Sequence, residues 1–385
     1  MKLQLRSLTA AAVVAVAVSA PKALALVSLE DGRDHLYVDA TYEMGYDSNV
    51  FANARANGSF TYEGTVGLEL ARRAGWIGVN ATASLNWARY GSYAGQDYVD
   101  PKVTAEFTKQ TGRTTGSLTM SVQREDRTDL TINTRDTSWN YGAGLNVQYP
   151  VIQRYSLTGT LDYAKTNYTD KQLFTDETTY TGNLYLYYIL NEQRDLFVDA
   201  RDRYTDLSNG ERDIDHALSG GVSGRVYGPF NGSVQFGYQE RTAHGGPDNG
   251  ATYQDLTASG TTTWNVNRRI TLTGDLSRDY STTALAQSIE STRGGLTLQD
   301  SFTSKSSGTL SGAIGENRFL GVEGEIPPSD KHRLDSFVSF TANYFYTINQ
   351  HLKLSVNYTY YQSFSNLDFA EFTRNQVFFT ASSHW

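Results

Sequence analysis

Between Ser59 and Tyr90 apolar and polar residues alternate. Phe60, Tyr62, Gly64, Val66, Leu68 and Leu70 share one parity, and Thr61, Glu63, Thr65, Gly67 and Glu69 share the other. After a turn at 72–75, Ile77, Val79, Ala81, Ala83, Leu85 and Trp87 alternate with Gly78, Asn80, Thr82, Ser84, Asn86 and Ala88. A period of two is the mark of a β-strand, whose successive side chains point to opposite faces. Each run is about 12 residues, roughly 40 Å at about 3.3 Å per residue. That is long for a soluble strand and enough to cross a bilayer at a tilt.

The unit recurs along the chain and predicts about eighteen strands. Among them are Tyr98 to Lys109, with Pro101 marking an end or a bulge, and Arg113 to Glu125. Thr137 to Tyr149 follows, with Pro150 as its stop. The alternation is weakest over Thr252 to Val266, and a less regular Thr252–Glu316 would reduce the count to sixteen. Short connections alternate with longer ones, the longest being 317–331. An even strand count with short and long connections in turn predicts an all-β, up-and-down antiparallel transmembrane barrel. Polar faces on every strand cannot build the core of a sandwich. They can line water while the apolar faces meet lipid, where every backbone group must be paired and the sheet must close. Eighteen strands at a tilt of roughly 40° give a diameter of roughly 35 Å, too wide for side chains alone to fill.

Composition agrees with this pattern. The 385 residues are 39% hydrophobic, with 34 Gly, 26 Tyr and no Cys. Mean hydropathy is −0.46, which excludes a bundle of membrane helices. The absence of cysteine removes disulfides, thiolate metal sites and Cys nucleophiles. A net charge of −8 argues against nucleic acid as a partner. Residues 1–25 read as a signal peptide: Lys2 and Arg6, an apolar run from Leu8 to Val18, and Ala23-Leu24-Ala25 as a small-x-small cleavage site. The mature barrel is then 26–385, in the outer membrane of a bacterial envelope. Short turns carry Arg72, Arg73, Lys109, Arg113, Arg154, Arg194 and Arg268. The longer loops and their shoulders carry Asp47, Asp126, Asp170, Asp213, Asp248 and Glu323. Basic turns suit anionic phospholipid on the periplasmic side, and acidic loops can hold divalent cations at a lipopolysaccharide surface.

No catalytic set emerges. His35, His216, His244, His332, His351 and His384 lie at strand ends or in loops, and no two are spaced for one metal. No enzyme activity, metal or cofactor is expected. The inward parity is more informative. The first four strands place Asp39, Glu43, Glu63, Glu69 and Glu106 inward, with Lys102 as the exception. The ninth to eleventh place Arg201, Arg203, Arg225 and Arg241 inward, with Asp199 among them. Facing walls of opposite sign would set a transverse field in a lumen and bias the solutes that cross it. Outward Tyr and Trp near strand ends read as membrane girdles. Inward Tyr185, Tyr187, Tyr227 and Tyr361 could stack on sugars or simply fill space. The 317–331 loop carries Phe319, Ile326 and Pro327, apolar enough to fold inward as a constriction.

At Gly45-Tyr46-Asp47-Ser48-Asn49-Val50-Phe51 the chain resembles a family of outer-membrane beta-barrel porins whose first strand ends G-Y-D-x-N-[VI]-[FY]. Relatives in that family are associated with exopolysaccharide or capsule loci. The resemblance implies a barrel over the whole mature chain and no catalytic residues. Trp385 is similar to the C-terminal aromatic signal that the barrel-assembly machinery reads, although Ser383 stands where an apolar residue is usual. The expected function is passive passage of hydrophilic solutes. The alternatives are a polysaccharide-export barrel with periplasmic partners and a structural or adhesive barrel with an occluded lumen.

Overall fold

The structure, a computed structural model, describes residues 27–29, 34–72, 75–322, 325–326 and 331–385. The expected signal peptide at 1–25 lies outside the described residues, as do Arg73 and Glu323. Eighteen long strands follow one another in chain order. The first six are β1 (Asp34–Asp47), β2 (Ser59–Arg72), β3 (Gly78–Tyr90), β4 (Tyr98–Lys109), β5 (Thr115–Asp129) and β6 (Thr134–Ile152). The next six are β7 (Tyr155–Tyr168), β8 (Glu177–Asn191), β9 (Arg194–Leu207), β10 (Arg212–Tyr227), β11 (Phe230–His244) and β12 (Thr252–Asn265). The last six are β13 (Ile270–Thr282), β14 (Ser288–Asp300), β15 (Ser306–Phe319), β16 (Leu334–Thr347), β17 (Leu352–Ser365) and β18 (Phe372–His384).

Each strand pairs antiparallel with its chain neighbours. β1 also pairs with β18, from Asp39–His384 to Asp47–Gln376, and this closes the sheet. At the seam Val38 and Trp385 exchange both backbone hydrogen bonds at 3.0 Å, and the Trp385 ring stacks on His351 at 4.1 Å. The strand Val27–Leu29 lies along the start of β1. The barrel therefore has eighteen strands and not sixteen, because β12 to β15 pair in unbroken order.

The alternation read from the sequence sorts the two faces. Apolar residues such as Leu218 (66% exposed) and Ile314 (67%) point outward, and their polar neighbours point into the lumen. Outward aromatics gather at both ends. Tyr46–Phe60 and Tyr163–Tyr180–Tyr204 lie toward the longer loops, and Tyr155–Tyr188 and Phe230–Trp264 lie toward the short turns. These are the paired girdles of a membrane barrel. Pro150 does not stop its strand. β6 runs on to Ile152 through a register shift between Pro150 and Ile152, where the missing N–H costs no regular ladder bond.

Two junctions are shorter than the rest. The β4–β5 ladder ends at Lys102–Gln123, and the β12–β13 ladder ends at Ala258–Arg278. Beyond these points β5–β6 and β13–β14 stay paired to their tips, so both hairpins leave the wall and lean into the barrel. Pro101 accounts for the first break. It has the parity of Val99, whose carbonyl faces β5, and a proline there has no N–H to continue the ladder. Side chains replace the missing bonds. Arg124 donates to Val99 O (3.0 Å) and pairs with Asp100 (2.5 Å), whose other oxygen accepts from the Asp126 N–H (2.8 Å). At the second break Thr257 donates to the Arg278 carbonyl (3.0 Å), and Arg278 pairs with Asp255 (2.7 Å) and Glu290 (2.9 Å).

Candidate functional site

The lumen and its loop-side mouth are the candidate site. The mouth is built on the Gly45–Phe51 stretch. A Cβ on Gly45 would come within 2.1 Å of the Val377 carbonyl oxygen, so only glycine allows β18 to close on β1 here. Asp47 pairs with Arg374 (2.5 Å) across that seam and accepts from the Asn49 N–H (2.9 Å). Asn49 is fully buried and donates to the carbonyls of Asn53 (2.7 Å) and Thr373 (3.3 Å), which pins the following loop to β18. Val50 is buried and Phe51 packs edge-on against Tyr93. The pinned loop receives the β5–β6 hairpin: Thr128 donates to Val50 O (2.6 Å), and Asn133 Nδ2 donates to Ala52 O (3.1 Å).

That hairpin reaches across the mouth. Its tip accepts two hydrogen bonds from Arg333, at Thr131 O (2.8 Å) and Asn133 Oδ1 (2.9 Å). Arg333 adjoins β16, pairs with Asp335 (2.5 Å), and lies over the rings of Phe319 (4.2 Å) and Phe369 (5.2 Å). Ile132 at the tip joins Tyr168, Phe174 and Ala284 in an apolar cluster, with Leu285 packed against it. The β7–β8 and β13–β14 loops meet in that cluster, where the Thr175 N–H donates to Ala284 O (2.9 Å).

The β13–β14 hairpin leans on the opposite wall and meets the predicted arginines. Arg201 grips Asp279 of β13 through both terminal nitrogens (2.8 and 2.7 Å). Arg203 bonds Asp279 (3.1 Å), Asp215 (2.6 Å) and the Tyr280 carbonyl (2.6 Å). Arg241, 1% exposed, holds Asp215 through two bonds (2.6 and 2.9 Å), lies 3.3 Å from Asp213, and donates to Ser281 O and Ser288 Oγ. The expected basic wall is thus charge-compensated: its three inner arginines meet Asp213, Asp215 and Asp279. Arg225 stands apart. It follows Gly224 (φ +91°) and sits at the register shift between Arg225 and Tyr227 near the short turn, exposed, while Asp215, in register with Arg203, lies farther up the same strand.

The acidic side differs. Glu43 and Glu63 face each other in register on β1 and β2, and no ion pair holds either one among the described residues. Below them Thr41, Thr65 and Asn86 line the same recess of about 360 Å³, which extends to Lys102. Glu69 and Glu106 point inward at lower levels, and Asp39 bonds His384 Nδ1 (2.6 Å) near the short-turn end.

A family model described as "Putative beta-barrel porin 2" matches residues 35–383. The chain belongs to this family. Among solved structures, this porin-family barrel is similar to the FrpB iron transporter of Neisseria meningitidis (F3-3 variant), with a TM-score of 0.52 and 10% identity over 88% of the chain. The chain spans 63% of the length of that FrpB chain. It is also similar to OccK2 (OpdF) of Pseudomonas aeruginosa, with a TM-score of 0.50 and 11% identity, covering 92% of this chain and 98% of that one. At such identities the likeness is one of fold, a closed outer-membrane-type barrel. No match was found among curated proteins.

Of the expected constriction residues in this porin barrel, Phe319 is fully buried under Arg333. Ile326 lies on a two-residue strand paired with Lys331–His332, and Pro327 falls outside the described residues. Among the described residues the β5–β6 tip reaches across the mouth. Sequence reading missed Arg333, Asp279 and the tip itself. The available signal was broken alternation: Arg124 and Arg278 occupy parities that lower down carry lipid-facing Met120, Val122 and Leu276.

Proposed function

We propose that this porin-family barrel is an outer-membrane pore for passive passage of small hydrophilic solutes, narrowed at its mouth by the β5–β6 and β13–β14 hairpins. The observation that carries the reading is the closed sheet with an apolar outer belt and a polar inner face, an arrangement suited to enclosing water within lipid. Its proposed surroundings are outer-membrane lipid and lipopolysaccharide, with the 1–25 segment as export signal and the β18 end as assembly signal. FrpB is an iron transporter, and the likeness of fold to it supports transport through the barrel as the function.

Cation preference follows from the lining. Glu43, Glu63, Glu69 and Glu106 have no ion-pair partner among the described residues, while Arg201, Arg203 and Arg241 are neutralised by aspartates. Uncompensated carboxylates in a low-dielectric channel concentrate cations. The interlocked mouth favours a second reading, a barrel whose resting state is closed. Liposome swelling with the purified full chain tests the proposal. Entry of arabinose-sized solutes at rates that fall with solute size is the expected result. Folded protein that leaves liposomes impermeable to every solute would contradict it.

A further inference from the structure

A cavity of about 560 Å³ lies on the lumenal face of β10–β12, within the range of small-molecule sites. The side chains that line it are Ser223, Ser233, Gln235, Ser259, Thr261 and Thr263, all hydroxyl or amide and none charged. Their register makes a grid. Ser233 stands between Ser223 and Thr261, and Gln235 stands between Gly221 and Ser259. Neighbouring positions on such a face are about 5 Å apart.

An aromatic platform borders this grid. Phe197 of β9 lies over Gly221, where a Cβ would come within 2.5 Å of its ring. The Tyr187 ring packs 5.2 Å from Phe197, and Tyr185 lies 6.0 Å from each of them. Tyr185 is in register with Asp199, which is 3% exposed and whose Oδ1 has no hydrogen-bond partner. A buried carboxylate oxygen without a donor costs about 1–3 kcal/mol or more, so this position gains from a ligand that brings a hydroxyl.

We propose that this face binds neutral polyhydroxylated solutes, oligosaccharides of two or three rings, on their way through the lumen. The hydroxyl and amide grid offers paired donors and acceptors at sugar-hydroxyl spacing. The tyrosine faces take the C–H face of a pyranose, and Asp199 accepts from ring hydroxyls. The side chains that line the grid carry no charge, which favours neutral over ionic solutes, with Arg225 bordering the same face beyond Ser223. This site rests on the pore reading, which fails separately.

The probe is maltotriose, and the full chain is held in a detergent without a sugar head group. Isothermal titration and intrinsic tyrosine fluorescence should show saturable binding. In planar bilayers the same sugar should block the ion current over the same concentrations. Tyr187→Ala should weaken the apparent affinity at least fivefold, and Tyr187→Trp should restore it. Absence of conductance with binding retained would remove the pore reading and leave the site. Normal conductance with no titration signal and no block by up to 100 mM maltotriose would overturn the site; at that concentration even a Kd of about 100 mM gives half-occupancy.

Discussion

Arg241 and Asp215 are the most enclosed ionic contact in the lumen, 1% and 0% exposed at their side chains. Such a pair recovers its desolvation cost only with further hydrogen bonds, and both partners have them, from Arg203 on one side and from Ser281, Ser288 and Asp213 on the other. Arg241→Met should lower unfolding stability by roughly 3–5 kcal/mol, because it strands buried carboxylates. Replacing both partners with apolar residues should cost far less. Urea titration of the barrel in detergent reads both values, and equal losses in the two variants would overturn this expectation. At this scale the sequence was informative about facing and silent about pairing. The parity that put Glu63 and Arg203 inward is local. Arg203 finds Asp215 in register on the next strand, but its other carboxylate partner, Asp279, is 76 residues away and reachable only because a hairpin leaves the wall. The Gly45–Phe51 motif was recognisable as a stretch. That Asn49 pins a loop which then receives Thr128 depends on contacts no period encodes.

The strands were legible because period-two patterning is strong wherever one face meets lipid and the other water. Tyr98–Lys109 has the expected bounds, and most of the others differ by a few residues at their ends. The larger differences have a physical cause. β5 and β6 run four and three residues beyond their expected loop-side ends, Glu125 and Thr137, because the hairpin leaves lipid there and no longer needs an apolar parity. Pro101 was read as an end or a bulge. It proves to be an interruption of one ladder only, with pairing to β3 intact at Leu85. The hairpin gives the clearest test at the level of an element. Removing 130–133 deletes Ile132 from the apolar cluster and both Arg333 contacts while leaving the wall pairs of β5 and β6 in place. Larger solutes should then enter liposomes, with little change in barrel stability. An unchanged size limit would mean that the tip does not narrow the pore.

For the whole molecule, the closed ring and the uneven charge of its lining make one prediction together. Arg201, Arg203 and Arg241 are neutralised by Asp213, Asp215 and Asp279, and among the described residues the inward carboxylates Glu43, Glu63, Glu69 and Glu106 without an ion pair outnumber the inward cations Lys102 and Arg225. The opening hairpin, β2 and β3, thus carries both a stretch of the apolar outer belt and Glu63 and Glu69 of the inner lining. The most direct measurement is single-channel current of the purified full chain in a planar bilayer under a salt gradient. Discrete current steps, a reversal potential on the cation-selective side, and a shift toward neutrality in Glu43→Gln/Glu63→Gln are the expected results. Folded protein that gives no steps, before or after removal of 130–133, would contradict the pore reading.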